Sequence, residues 1–362
     1  MQTTGMTNSS AEVPAPQRLV DGDGEVQFGV FSGPVEEING ADYLLTDPFD
    51  RPVSWLRRYF AYNQFQFIGA LSPALVLGCA IVNIRYVGTA FVYLFEPSTR
   101  RFRHFSFRTP LALGTRFEPT PERGVVSFRA GRNRFKMTAD PVARTRTLEV
   151  EVPGRVEIFA TLHEGAPGQT SGLGGAEPMR VCTRTGPTGW VFTRKSAGLP
   201  IEGRVRWEGG TVALADIGAC GNCDWSAGYM RRETFWYWGC LSGQLADGRR
   251  VGLNAVCGVN ESGFTENCFW LDGRRHKLDT VHFEYDRRAL HDRPWRLRSY
   301  DGRMDLEFVA EGRHREALNA WLLASNFTQL FGRYRGTLTT EHGERVTLDG
   351  VYGYLERHFA RW

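Results

Sequence analysis

Asp224 and Glu233 bracket the run "DWSAGYMRRETFWYWG", and Glu266 lies in "FTENCFW". A carboxyl walled by Trp225, Trp236 and Trp238 is pushed toward its protonated form, because desolvation disfavours the charged state. Such an acid can give a proton to an alkene, and Trp or Tyr faces can steady the cation that develops. Asp224 and Glu266 are the candidate acids. The plain alternative has Asp224 capping a turn and Glu233 ending a strand in solvent, since carboxylates are seldom buried unpaired.

Other polar residues enter the same apolar runs. Asn254 in "GLNAV" and Asn267 beside Glu266 each need a partner if their strands are covered. Should Asp224, Asn254 and Glu266 converge, they form a small polar cluster in an aromatic cavity, the usual composition of a ligand site. The structural reading of the same residues is a hydrogen-bonded network that fixes strand register. Lysine is scarce, with only Lys136, Lys195 and Lys277. Lys195 would neutralise a carboxylate such as Glu266 or meet an acidic ligand, or else snorkel at the surface. Trp225, Glu233, Trp236, Trp238, Asn254, Asn267 and Lys195 make up the candidate ligand-binding set. His358 in "ERHFARW" reads as a partly exposed helix histidine, with acid–base work as the alternative.

Known signatures are missing. The chain has no phosphate-binding loop, no G-x-S-x-G elbow and no H-E-x-x-H. Cys220 and Cys223 form a C-x-x-C without a second pair or a histidine at finger spacing, so a structural role is expected, with no metal and no cofactor. Net charge is +4 over 362 residues with no basic stripe, which argues against a nucleic-acid partner. Seven cysteines, an odd number, mostly in apolar runs, read as reduced thiols in a cytoplasmic compartment. Residues 1–18 lack the charged and apolar regions of a signal peptide and read as a disordered tail. From Tyr59 to Ile84 no residue is charged. Pro73, Asn63, Gln64, Gln66 and Asn83 interrupt that stretch, so two strands meeting at Ser72–Pro73 fit better than a membrane span.

The elements that must position these side chains are strands. "FRHFSFRT" alternates cleanly, and Asp-Gly pairs at 247–248, 272–273 and 301–302 fall between strand candidates, where Asp-Gly favours two-residue hairpins. "FWYWG" (235–239) carries bulky rings on both strand faces, as expected where a strand joins a barrel lumen to a second covered surface. Many short strands and few helices give an all-β fold: two lipocalin-like antiparallel β-barrels with a short C-terminal helix. The expected halves are 19–180 and 181–362, joined near the Gly-rich stretch 164–178. Helices are expected at 314–325, "HREALNAWLLAS", and at the terminal "YLERHFARW".

The segments "KSAGLPIEG" (195–203), "DWSAGYMRRETFWYWG" (224–239), "ADGRRVGLNAVCGVNESGFTENCFWLDGRRHKL" (246–278), "PWRLRS" (294–299), "FGRYRGTL" (331–338) and "YLERHFARW" (354–362) carry a family resemblance. In this order they resemble the bacterial family known as domain of unknown function 2804, over residue 40 to the C-terminus. One departure is "WYWG", where the resemblance implies an Asn-containing "WNWA"-like segment. At fold level the family is similar to the lipocalin-like superfamily that includes carotenoid hydratases of the hydroxyneurosporene synthase type. That resemblance implies double barrels that handle apolar, isoprenoid-like molecules.

Three functions follow as expectations. The first is binding of a hydrophobic small molecule, lipid or isoprenoid-like, in an aromatic-lined cavity of the C-terminal half. The second is a cofactor-independent hydratase, cyclase or isomerase with a buried carboxylate as general acid. The third is a structural or interaction protein without a ligand. A hollow separates the third from the others, and a raised pKa on an inward carboxyl separates the second from the first.

Overall fold

A computed structural model describes residues 12–165, 175–259, 263–320 and 323–362. Among them, strands dominate and the one α-helix is Trp55–Ala61, capped by the Ser54 hydroxyl accepting from the Arg57 amide. The apolar stretch after it forms Tyr62–Leu71 and Val76–Asn83, turned at Ser72, whose hydroxyl accepts from the Leu75 amide. Among the described residues no helix is long and apolar enough to cross a membrane.

Two curled antiparallel sheets make up the molecule. The first runs from Arg101–Pro110 through Val87–Glu96, Val76–Asn83 and Tyr62–Leu71 to Cys220–Tyr229 and Trp190–Trp207, then on to Val156–His163, Thr145–Val152, Asn133–Asp140 and Gly124–Ala130. The second runs from Arg274–Lys277 through Cys268–Leu271, Arg250–Cys257 and Glu233–Gln244 to Arg345–Arg361, Leu323–Thr339 and Met304–Ala320, ending at Val281–Glu284. The chain leaves the first sheet after Tyr229 and enters the second at Glu233. Sequence reading divides the chain at 180/181, but Met179–Arg184, Trp190–Trp207 and Cys220–Tyr229 all pair within the first sheet.

Strand alternation sorts the core into separate layers. Ile68, Cys79, Val92, Phe135 and Leu148 fill the concave side of the first sheet. Leu253, Phe269, Trp295, Leu306 and Leu355 fill that of the second. A third layer lies between the sheets and takes the opposite faces of the same strands: Phe67, Ala80 and Tyr93 from one, Trp238, Phe331 and Tyr354 from the other. Tyr354 pins this seam, its hydroxyl bonding to Asn222 Oδ1 at 3.0 Å and to the Leu77 carbonyl at 3.2 Å. Gly69 faces that hydroxyl so closely that a Cβ would overlap it.

The doubly aromatic strand Glu233–Gln244 now has its explanation. Trp236 and Trp238 face the seam, while Tyr237 turns to the second sheet's interior against Phe283 and Trp295. Phe235, at the strand's start, is exposed.

Both expected helices are strands. Residues 314–320 belong to Met304–Ala320 and residues 323–325 to Leu323–Thr339, a long hairpin. The terminal segment lies in Arg345–Arg361, paired on both sides, to Glu233–Gln244 and to Leu323–Thr339. Glu, Ala, Leu and Arg favour helix locally, but continuous pairing with neighbours outweighs preferences of a few tenths of a kcal/mol per residue. The expected tail is shorter than 1–18. Val13 bridges Phe31 and the Gln17 carbonyl accepts from the Glu37 amide. Most of the Gly-rich stretch, 166–174, lies outside the described residues.

Candidate functional site

A cavity of about 340 Å³ opens in the seam, walled by both sheets. Its apolar lining includes Phe65, Phe67, Phe91, Trp236, Trp238 and Phe327. The C-terminal half alone was the expected location. The correction follows from packing, because each sheet's concave side is filled by its own side chains and the hollow is left between them. A larger hollow of about 1090 Å³ lies over the first sheet's charged strand faces. Its Lys136–Glu149, Arg206–Glu157 and Arg134–Glu151 pairs bridge neighbouring strands.

Lys195 reaches this seam cavity just before a bulge. Register shifts between Ser196 and Leu199, where Gly198 takes φ +71° and its amide bonds to Ser242 Oγ in the second sheet. A bulge bends its strand and re-aims side chains. The ammonium lies 2.8 Å from Asp224 Oδ2 and 2.9 Å from Glu266 Oε1. It also sits 5.3 Å from the Trp238 ring centre. Burial alone would lower the Lys195 pKa, but Asp224 and Glu266 outweigh it and hold the ammonium charged, above its ordinary value. Ser226 donates to Asp224 Oδ1 at 3.3 Å and shares a 3.1 Å bond with Thr193.

A second carboxyl group on the cavity wall differs. Glu356 accepts from the Trp236 indole N–H at 2.7 Å and from Gln329 Nε2 at 3.2 Å. Burial pushes its pKa up to about 7, against the lowering pull of Trp236, Lys195 and Gln329. It is therefore part protonated at neutral pH. His358, two residues on and on the same strand face, packs edge-on to Trp236 with ring centres 4.3 Å apart and bonds to Ser325 Oγ at 2.9 Å. Burial pushes His358 down to about 3, so it stays a neutral imidazole. Across the cavity His104, His314 and Glu316 form a third cluster.

The structure thus gathers Lys195, Asp224, Glu266, Trp236 and Trp238 on one cavity. It does not bring the remaining sequence-derived residues to the lining. Trp225 neighbours Asp224 in an extended strand and so points away, packing against Phe192. Glu233 is exposed and pairs with Arg361 at 3.2 Å. Asn254 and Asn267 stand behind the wall. Asn254 Oδ1 accepts from the Trp238 indole at 2.8 Å while its Nδ2 donates to the Glu266 carbonyl at 3.0 Å. Asn267 ties the Val256 amide to the Asp279 carbonyl. Asn254 thus positions Trp238 and Glu266, and Asn267 holds the strand of Val256, rather than meeting a guest. Cys220 and Cys223 lie three apart on a regularly paired strand, hence on opposite faces, and cannot hold one ion together. Burial raises both thiols, Cys220 to about 11.

Sequence reasoning missed Glu356, Gln329, His104, His314 and Glu316. The available signal was alternation in "YLERHFARW": as a strand it puts Glu356 and His358 on one face with Tyr354. A helix assignment hides that.

Among solved structures, the fold is similar to that of CghA with Sch210972, at a TM-score of 0.53 and 12% identity over 83% of this chain and 88% of that one. A second CghA structure is similar at a TM-score of 0.52 and 12% identity, covering 90% of this chain and 92% of that one. Kievitone hydratase from Nectria haematococca gives a TM-score of 0.48 at 10% identity, over 82% and 88% of the two chains. At these identities the likeness is one of fold. No curated protein matches the chain. The model of the family described as "Domain of unknown function (DUF2804)" matches residues 10–362, and the chain belongs to that family.

Proposed function

We propose that this protein binds an apolar small molecule in the seam cavity and transfers a proton to it, as a hydratase, cyclase or isomerase does, with Glu356 as the acid. One observation carries the reading: a buried carboxyl poised near neutrality on the wall of an aromatic cavity. An acid is most effective when its pKa lies near the working pH. Asp224 and Glu266, the acids favoured by sequence, are each ion-paired to Lys195 and serve better as fixed negative charge.

In this scheme the Glu356 proton passes to one carbon of a C=C bond, leaving a carboxylate on the protein and a cation on the guest. The Trp236 and Trp238 faces, with the carboxylates of Asp224 and Glu266, stabilise that cation. Attack by water, by an internal group, or loss of a neighbouring proton then gives hydration, cyclisation or isomerisation. The proton released returns to Glu356.

The test starts from native mass spectrometry of protein purified from its own host, to identify a co-purifying apolar molecule. That molecule is then incubated with protein in deuterated water. Wild type is expected to introduce deuterium, and Glu356→Gln to bind the molecule while exchanging it about 10²–10⁴-fold more slowly. Equal exchange by the two proteins would remove Glu356 as the acid. Tight binding with no exchange by either would mark a carrier.

A further inference from the structure

His314 and Glu316 are two apart on Met304–Ala320 and so share a face, while His104 reaches them from Arg101–Pro110 of the other sheet. His104 Nδ1 and His314 Nε2 each lie 3.2 Å from the same oxygen, Glu316 Oε1. All three ligand atoms fall within 4.8 Å of one another. The His104 and His314 rings are 4.5 Å apart.

We infer that His104, His314 and Glu316 form a binding site for a divalent first-row transition-metal ion such as Zn²⁺. Bonds of about 2.0–2.1 Å to a tetrahedral ion place neighbouring ligand atoms about 3.3–3.4 Å apart, so the two histidine–carboxylate separations already match. Two imidazoles and one carboxylate suit zinc or ferrous iron and not the all-oxygen preference of magnesium or calcium. Arg108 stands 3.9 Å from the other oxygen, Oε2, and leaves Oε1 to the ion. Phe102 and Phe327 pack against His314 and hold its ring in place.

Three protein ligands leave at least one coordination position over, and all three residues line the cavity. An oxygen of the guest, as hydroxyl or carbonyl, would fill that position. This last step rests on the seam cavity being the binding site. It narrows the guest to an apolar molecule bearing an oxygen at one end.

The experiment titrates chelator-treated full-length protein with Co²⁺, followed by its visible absorption, and then displaces it with Zn²⁺. Wild type is expected to take up one equivalent. His104→Ala, His314→Ala and Glu316→Gln are each expected to weaken uptake by at least about 100-fold, more than the loss usual for residues behind the ligands. Circular dichroism checks that each variant is folded. No uptake by wild type would overturn the assignment. So would uptake unchanged in all three variants, which would point to cysteine instead. Because no guest is present, failure here leaves the proton-donor reading of Glu356 standing.

Discussion

Two of the buried charge clusters among the described residues behave in opposite ways. In the first, Arg146, Arg180 and Arg194 surround Glu122 and Glu164. Arg194 Nη2 reaches both Glu164 oxygens at 2.9 Å, and Arg180 grips Glu122 with two bonds. Burial would raise both carboxyls, but the guanidiniums overcome it. Glu164 is drawn down to about 2 and Glu122 lies well below the usual carboxylate range. In the second, Lys195 is the cation near Asp224, Glu266 and Glu356. It bonds to two of them, and the third rises. The lesson is one of stoichiometry: cations in excess lock carboxylates as ions, whereas too few leave a proton shared near neutrality. The first arrangement holds a structure together. The second leaves one buried carboxyl able to gain or lose a proton near neutrality.

Arg194→Met should have the largest effect. It strands Glu164 and weakens the hold on Glu122, at a cost of about 3–5 kcal/mol in urea unfolding. A cost below about 1 kcal/mol would mean the arginine cluster is no more structural than the lysine one.

The next test separates the clusters by pH. Glu356 has a folded pKa near 7 against an ordinary value of 4.5. Its proton therefore stabilises the fold fully below about 4.5, and that contribution is lost as pH rises through about 7. The span is about 2–4 kcal/mol. Glu164 runs the other way: its contribution is present above about 4.5 and lost as pH falls through about 2. Glu356→Gln should flatten the stability profile between pH 4.5 and 7 and leave the acid limb intact. An unchanged profile in that window would remove the contrast.

Trp236→Phe sharpens the point at smaller amplitude. It deletes the indole donor to the Glu356 carboxylate, and a hydrogen bond to a charged group contributes about 1.5–3 kcal/mol. The Glu356 titration, followed by its infrared carbonyl band, should move up by about one unit or more. Ser226→Ala should matter least. It removes the 3.3 Å bond to Asp224 and the 3.1 Å bond shared with Thr193, and should cost about 0.5–1.5 kcal/mol in thermal unfolding.

Much of the architecture was legible because strand signals are local. Asp272–Gly273 sits at φ 49° and 85° in the turn between Leu271 and Arg274, as Asp-Gly implies. The break at Ser72–Pro73 turned an apparent span into two strands. The Lys195, Asp224 and Glu266 triad was legible in part, because a rare lysine and acids in apolar runs each demand a partner. Glu356 was not, since nothing within "YLERHFARW" shows that two flanking strands will pair with it. His104 stands 210 positions before His314, and no local pattern ties them together. The seam itself was hidden for the same reason: which faces of two sheets meet is decided by long-range packing. Trp225 was misread through proximity in sequence, where strand geometry sends adjacent side chains apart.

The seam has a mechanical consequence. Met230 borders the cavity in the short crossover between sheets, and the Trp362 amide closes onto the neighbouring Arg232 carbonyl. A guest there touches both sheets, so it acts as mortar between them. Its affinity should register as added resistance of the whole chain to melting, by RT ln(1 + [L]/Kd). Prying the halves apart and releasing the guest are then one and the same event.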